Sequence, residues 1–371
     1  MTLTAAAGPA AIVLVTCLAL AMPALAKPTL PFGVRVPHPR TADPAVIAQR
    51  RVYARLTLAA GAAALSVLFL AGASREAVIA TVTTALAMTD LLLYYRSHRK
   101  VRAAKLTGGW QREQRHGVTV DTTFRTDPVR LPRLWTLPAV AITLVTAGLG
   151  WWRYDALPAT LPSFRGVGID PTRPEPLTPL SAFEPVILQV AIILLFSAMT
   201  LLLLRARPDL DAARPAGSAR RYRLYLRGTA RLSLLGAACV NLTLLIAALQ
   251  LWQIAAPTIV WGAAAYLALA GPLIGSLIWE IRAGQAGHRL PALPGEDDED
   301  SGVAQRDDDK HWFLAGTVYV NRRDPAVVLH ARLSQTWTLN LGHPVVWALV
   351  TVLAVAGLLA AFGVIDLPRR S

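Results

Sequence analysis

Charge and cysteine are both scarce in this chain. Only 16% of its 371 residues are charged, against roughly 25% in an ordinary soluble domain, and 54% are hydrophobic. That balance excludes a water-soluble enzyme of ordinary composition. The two cysteines, Cys17 and Cys239, both sit inside apolar runs, which excludes a disulfide framework and a cysteine-based zinc centre. Catalytic motifs are missing as well: there is no HExxH, no GxSxG and no P-loop. Gly166-Val167-Gly168 runs on into Ile169-Asp170-Pro171 rather than into a dinucleotide fingerprint. The seven histidines are scattered through loops, with no pair at i, i+4. No catalytic residue, cofactor or metal ligand is therefore expected, and the chain reads as non-enzymatic.

What is abundant is apolar sequence. Eight stretches are long enough to cross roughly 30 Å of hydrocarbon as helices of about 20 residues. They lie near 6–26, 56–73, 77–95, 135–152, 185–204, 232–252, 259–279 and 345–365. Trp135, Trp151, Trp152, Trp252, Trp261, Trp279 and Trp347 fall at or near their ends, where an indole prefers the headgroup interface. The expectation is an all-α integral membrane protein with about eight transmembrane helices.

Arg and Lys set the orientation. Segments 27–55, 96–134, 205–231 and 280–344 hold 31 of the 37 basic residues. The positive-inside rule puts these segments in the cytoplasm and both termini outside. Residues 1–26 have no Lys or Arg, so they lack the basic start of a secretory signal and are read as a retained first helix. Anionic lipid explains the net charge of +14 better than nucleic acid does, so the bilayer is an expected partner and direct nucleic-acid binding is not.

Two echoes suggest a tandem duplication. Arg51-Val52-Tyr53-Ala54-Arg55 resembles Arg223-Leu224-Tyr225-Leu226-Arg227. Arg125-Thr126-Asp127-Pro128, with Trp135-Thr136-Leu137, resembles Arg322-Arg323-Asp324-Pro325 with Trp337-Thr338-Leu339. Four spans per half would make the repeats parallel. Asp before Pro is a ready helix start, so a short surface helix is expected after Asp127 and after Asp324.

The expected organisation is therefore a first four-helix half (1–152), an extracytoplasmic loop (153–184) and helices five to seven (185–279). An acidic linker (280–309), a small cytoplasmic element (310–344) and the last helix with its tail (345–371) follow. The proline density of 153–184 favours extended chain, serving either as a stiff connector or as a docking surface. The run from Glu296 to Asp309 reads as a disordered, solvated linker, without the glycine and terminal glutamate of a calcium loop. Asp90 is the one ionisable residue placed within a span. It is either a structural polar contact or a proton or ion relay. Gln189, Asn241 and Gln250 can hydrogen-bond between helices.

Two segments carry a family resemblance. Tyr154-Asp155-Ala156-Leu157-Pro158-Ala159-Thr160-Leu161-Pro162 resembles the extracytoplasmic tyrosine, Leu-Pro and second-proline signature of the bacterial family that includes the immunity protein against the sporulation-delaying toxin. The run from Asp309-Lys310-His311-Trp312 through Tyr319, Asn321, Asp324-Pro325 and Trp337-Thr338-Leu339-Asn340 to Gly342-His343-Pro344 resembles a second, uncharacterised domain that accompanies the first. The 33 arginines against four lysines fit a GC-rich bacterium. The resemblance implies a multi-pass protein of a bacterial plasma membrane that is toxin-immunity-like or peptide-sensing. Tyr154, Leu157, Pro158, Leu161 and Pro162 would form its external, ligand-binding face. Arg125, Asp127, Arg323, Asp324, Trp337 and Asn340 would organise the cytoplasmic element toward a cytoplasmic regulator. The residues leave open a second reading, a small-solute or ion transporter using Asp90, Gln189 and Asn241.

Overall fold

The computed structural model is mostly helical and describes residues 3–72, 75–110, 116–117, 123–165, 168–296, 298–332 and 337–361. Its main helices are α1 (Leu3–Leu25), α2 (Pro44–Ala71), α3 (Glu76–Thr107), α4 (Leu137–Arg153), α5 (Pro179–Leu204), α6 (Pro215–Leu251), α7 (Ile259–Ala283) and α8 (Pro344–Ala361). Seven of them are long and apolar enough to cross a membrane; α8 is apolar but shorter in its described part. Local chemistry sets several boundaries. Asp43 caps α2 by accepting from the Ala45 amide at 3.0 Å, with Pro44 in the first turn. Thr178 and Ser181 form a reciprocal capping box at the start of α5.

Three helices outrun their apolar spans. The structure starts α2 at Pro44 rather than at 56, carries α3 on to Thr107, and starts α6 at Pro215 rather than at 232. Each added length is basic sequence that hydropathy assigns to loop.

The chain divides into two compact units, one of 1–121, 207–222 and 283–348, the other of 122–206, 223–282 and 349–371. The expected division after residue 152 differs from this one, because α4 packs with α5 in the second unit.

In the first unit α1, α2 and α3 pack together. Phe32, in the segment after α1, is wedged edge-on against Tyr53 of α2 and Tyr94 of α3, with ring centroids 5.3 and 5.4 Å away. Segments 27–43, 207–214 and 284–343 close over the end where α1 finishes, α2 starts and α3 finishes; this layer is called the cap below. Lys27 reaches Asp209, Arg35 reaches Asp308 and Arg289 reaches the Ala24 carbonyl. Segments that the basic-residue count assigns to one side thus meet at one end of the helices.

Within the cap, β3 (Trp312–Phe313) pairs antiparallel with β4 (Val318–Tyr319), and β5 (Val328–His330) with β6 (Trp337–Leu339). Here the expected helices after Asp-Pro are absent. After Asp324 the chain turns, because its carboxylate accepts from the Ala326 amide at 3.0 Å, and then enters β5. After Asp127 the backbone stays irregular as far as the short turn Arg133–Thr136.

The second unit packs α4, α5 and α6 around Trp252, Leu251, Ala248 and Leu244. Loop 153–184 folds as an antiparallel ribbon of β1 (Thr160–Arg165) and β2 (Gly168–Pro176), with a register shift between Pro162 and Ser163. The chain is extended over these strands, whereas Arg153 ends α4 and residues 179–184, expected in the loop, form the start of α5.

Candidate functional site

Three polar constellations stand out. The first is an ionic cluster in the cap. The Arg332 guanidinium, 2% exposed, pairs with Asp308 and Asp309, donates to the Gly33 carbonyl at 3.1 Å and lies over the Trp312 ring. Lys105, 3% exposed at the end of α3, donates to Asp309 at 2.6 Å and pairs with Asp307 at 2.9 Å. Arg35 pairs with Asp308 at 3.2 Å, and Lys27 with Asp209 at 2.6 Å. Burial pushes the Asp209, Asp308 and Asp309 carboxyls up, but the cations beside them outweigh it and hold all three well below the usual carboxylate range.

The expected disordered linker is therefore corrected in part. Asp307, Asp308 and Asp309 are tied to buried cations, and Glu296 pairs with Arg220 at 2.5 Å. Glu299 accepts from the Ala216 and Gly217 amides in the first turn of α6, where the helix dipole favours an anion. Composition reports self-repulsion among these acids; the structure supplies the cations that cancel it. A cavity of about 1000 Å³ lies beside the cluster, lined by Lys27, Arg35, Lys105, Asp209, Arg221 and Glu299 among others.

The second constellation is intramembrane. Asp90 is 3% exposed on the packed stripe of α3, and neither of its carboxylate oxygens has a hydrogen-bond partner among the described residues. Thr57 of α2 and Tyr94 of α3 are also buried on these packed faces; the Tyr94 hydroxyl is likewise unpartnered among the described residues, and that of Thr57 meets Tyr53. The third constellation ties α4, α5 and α6. The Gln189 amide donates to Thr146 Oγ1 at 3.0 Å and to the Asn241 carbonyl at 2.9 Å. The Asn241 amide donates to Thr143 Oγ1 at 3.0 Å and to the Gln189 carbonyl at 3.3 Å. The structure thus brings Gln189 and Asn241 together in the second unit, while Asp90 belongs to the first.

The residues expected on the external face divide. Leu161 is 1% exposed and belongs to the Trp252 core, so it is corrected from ligand contact to anchor. Tyr154 and Leu157 pack against the same core, with Tyr154 stacked on Phe183 at 5.9 Å. Pro162 is half-buried and Pro158 is exposed. An aliphatic chain facing an apolar platform is buried by the same hydrophobic effect that seats the ribbon.

Among the residues expected to organise the cytoplasmic element, Asn340 is central. Its amide donates to the Asn321, Asp324 and Ala326 carbonyls, and its oxygen accepts from the Asn321 and Gly342 amides. Asp324 accepts from Tyr319 Oη at 2.8 Å and pairs with Arg207. Trp337 lies against His330 with ring centroids 4.6 Å apart, and Arg323 is exposed. Asp127 is exposed and belongs to the second unit; the side chain of Arg125 lies outside the described residues. Sequence reasoning missed Lys27, Arg35, Lys105, Asp209 and Arg332. Their common signal is weak: an acidic run in a strongly basic chain requires counter-charges, without saying which.

Among the described residues no three His, Cys, Asp or Glu side chains converge as ligands for a metal ion. No protein-family model, curated protein or solved structure matches the chain.

Proposed function

We propose that the chain is a non-enzymatic, multi-pass protein of a bacterial plasma membrane that recognises an external peptide through ribbon β1–β2, in the manner of toxin-immunity proteins. One observation carries the reading. Helices α4 and α5 are packed neighbours, and a link between such helices needs only about 2–8 residues. The chain between Arg153 and Pro179 instead builds an ordered ribbon and seats it on Trp252 through Leu161 and Phe164. A connector does not require that; a presented surface does. The face offered to a ligand is then the exposed one, with Pro158, Thr160, Pro174 and Pro176, rather than the buried anchors.

In this reading α8 is an eighth span, both termini are outside and the cap faces the cytoplasm, where its surface meets a regulator. The ionic cluster supports a cap that holds one shape for that purpose. The parallel four-helix repeats of the sequence echoes belong to the same proposal.

The test is survival of a toxin-sensitive bacterium expressing the protein and challenged with the sporulation-delaying peptide. A second strain carries residues 158–176 replaced by a neutral linker. Protection by the intact protein that is lost in the replacement supports the proposal. Equal survival of the two strains, with both proteins inserted in the membrane, rejects the ribbon as the recognition surface.

A further inference from the structure

The three-helix unit buries the carboxyl group of Asp90 without a hydrogen-bond partner among the described residues. On α3, Leu86, Asp90, Tyr94, His98 and Val101 form the packed face, and Asp90 lies six residues before Arg96, about 9 Å along the helix. From Glu76, at the other end of α3, it is fourteen residues away, or about 21 Å. The carboxylate is therefore inside the apolar part of the helix, nearer to the basic side.

The groups that face it are accounted for. From α2 comes Tyr53, with Thr57 one turn beyond it and Arg50 about one turn nearer the cap. Tyr53 Oη donates to the Ala19 carbonyl of α1 at 2.9 Å, so its proton is committed elsewhere, although it lies within electrostatic reach of Asp90. Arg50 forms no ion pair with Asp90, and its Nε is buried without an acceptor among the described residues. From α3 itself, Tyr94 Oη is unpartnered, and His98 is engaged one turn further on with the Phe32 carbonyl at 2.8 Å. The packed face of α1 contributes Thr16 and no charged group; Thr16 donates to the Ile12 carbonyl at 2.8 Å.

Thr57, like Thr83 of α3, departs from a habit of this chain's helices. Thr16, Thr81, Thr89, Thr143, Thr146 and Thr200 all return their helical hydroxyls to the carbonyl four residues earlier. Thr57, wholly buried, does not, and its hydroxyl turns instead toward that of Tyr53 one turn earlier. Both carboxylate oxygens and the Tyr94 hydroxyl thus have no partner among the described residues, and the Thr57 hydroxyl has none beyond the hydroxyl of Tyr53 one turn away. A purely structural polar contact would satisfy them, because an unpaired buried charge costs several kcal/mol.

We propose that Asp90, with the Thr57 and Tyr94 hydroxyls, is an intramembrane binding site for a single positive charge, either a proton or a small monovalent cation. Either occupant neutralises the carboxylate, and the two hydroxyls orient it. The site lies in the first unit and the ribbon in the second, so this inference does not rest on the peptide-binding reading.

The full-length protein in vesicles tests it. Infrared difference spectra are recorded from about pH 4 to 9 in a buffer whose only cation is too large to enter, N-methylglucamine. Thermal stability is followed in parallel as sodium or lithium is added. A proton as occupant gives a protonated-carboxyl stretch that titrates and is missing in Asp90→Asn. A metal cation gives saturable stabilisation that Asp90→Asn abolishes, with no such stretch. In either case Thr57→Val and Tyr94→Phe shift the midpoint or apparent affinity at least threefold, which keeps the inference testable should Asp90→Asn fold poorly. Absence of both signals in the unmodified protein overturns it, as does their persistence unchanged in Asp90→Asn.

Discussion

Arg332 holds Asp308 from inside the cap: its guanidinium is almost wholly buried, while the carboxylate comes from the acidic run 24 residues earlier. Removing one member of such a pair leaves the other charge buried and uncompensated, which costs about 3–5 kcal/mol. Arg332→Met removes the cation that Asp308 and Asp309 share, leaves them only Arg35 and Lys105, and should open the cap. Asp308→Asn should cost less, because Asp309 still balances the guanidinium. Protease sensitivity of segment 284–343 in native membranes checks the order. Equal resistance of Arg332→Met and the unmodified protein would show that the cluster does not hold the cap.

Acid should loosen the cap through histidine before it does so through carboxylates. Burial pushes His330, enclosed by Tyr222 and Trp337, down to about 4, and His288 likewise to about 4. The unfolded chain takes up these protons near pH 6.5, and the folded cap does not. Stability therefore falls as pH drops from about 6.5 to about 4, by roughly 3 kcal/mol for the deeply buried His330, and levels off below. The carboxylates have the opposite arrangement. Their depressed values give a contribution that is fully present above about pH 4 and is lost only as pH falls through the folded values. Protection factors of the cap amides, which remove the intrinsic slowing of exchange in acid, should fall below pH 6.5, and His330→Gln should flatten that fall. A cap that first loosens below pH 4 would contradict this assignment.

The spans were legible because hydropathy over 20 residues measures the quantity that a bilayer selects. Asp90 was legible as an anomaly for the same reason. The cap was not. Lys105 and Asp309 are separated by 204 residues, and no local pattern announces that they meet. Composition alone turned the acidic run into a solvated linker. The helical extensions of α2, α3 and α6 failed for a related reason, since their polar residues are satisfied by tertiary partners such as Ser97 for Gln49 at 2.9 Å. In the ribbon, proline density announced extended chain but not which face turns inward. That depends on Trp252, 91 residues beyond Leu161.

Asn241 and Gln189 exchange side-chain and backbone hydrogen bonds across α5 and α6, and Thr143 and Thr146 join α4 to them. Interhelical hydrogen bonds of this kind contribute about 0.6–2 kcal/mol each. Asn241→Leu removes the donations to Thr143 and to the Gln189 carbonyl and should destabilise the second unit by about 1–2 kcal/mol, read as a lower Tm in detergent. Thr143→Val removes a single acceptor and should cost less. If Asn241→Leu instead left Tm unchanged while altering solute flux into vesicles, the network would belong to a transport path rather than to packing.

The ribbon separates anchoring from recognition, and two substitutions distinguish them. Leu161→Ala empties a site in the core around Trp252 and should cost about 2–5 kcal/mol, releasing the ribbon. A cysteine placed at Phe164, normally buried, would then react with an impermeant thiol reagent in the Leu161→Ala background and not without it. Pro158→Ala changes an exposed side chain and should leave that buried position protected. If the exposed face recognises a peptide, Pro158→Ala should nevertheless weaken protection at full membrane expression. If it keeps full protection, and only the released ribbon of Leu161→Ala loses it, then the ribbon's role lies in holding α4 against α5 rather than in contacting a ligand.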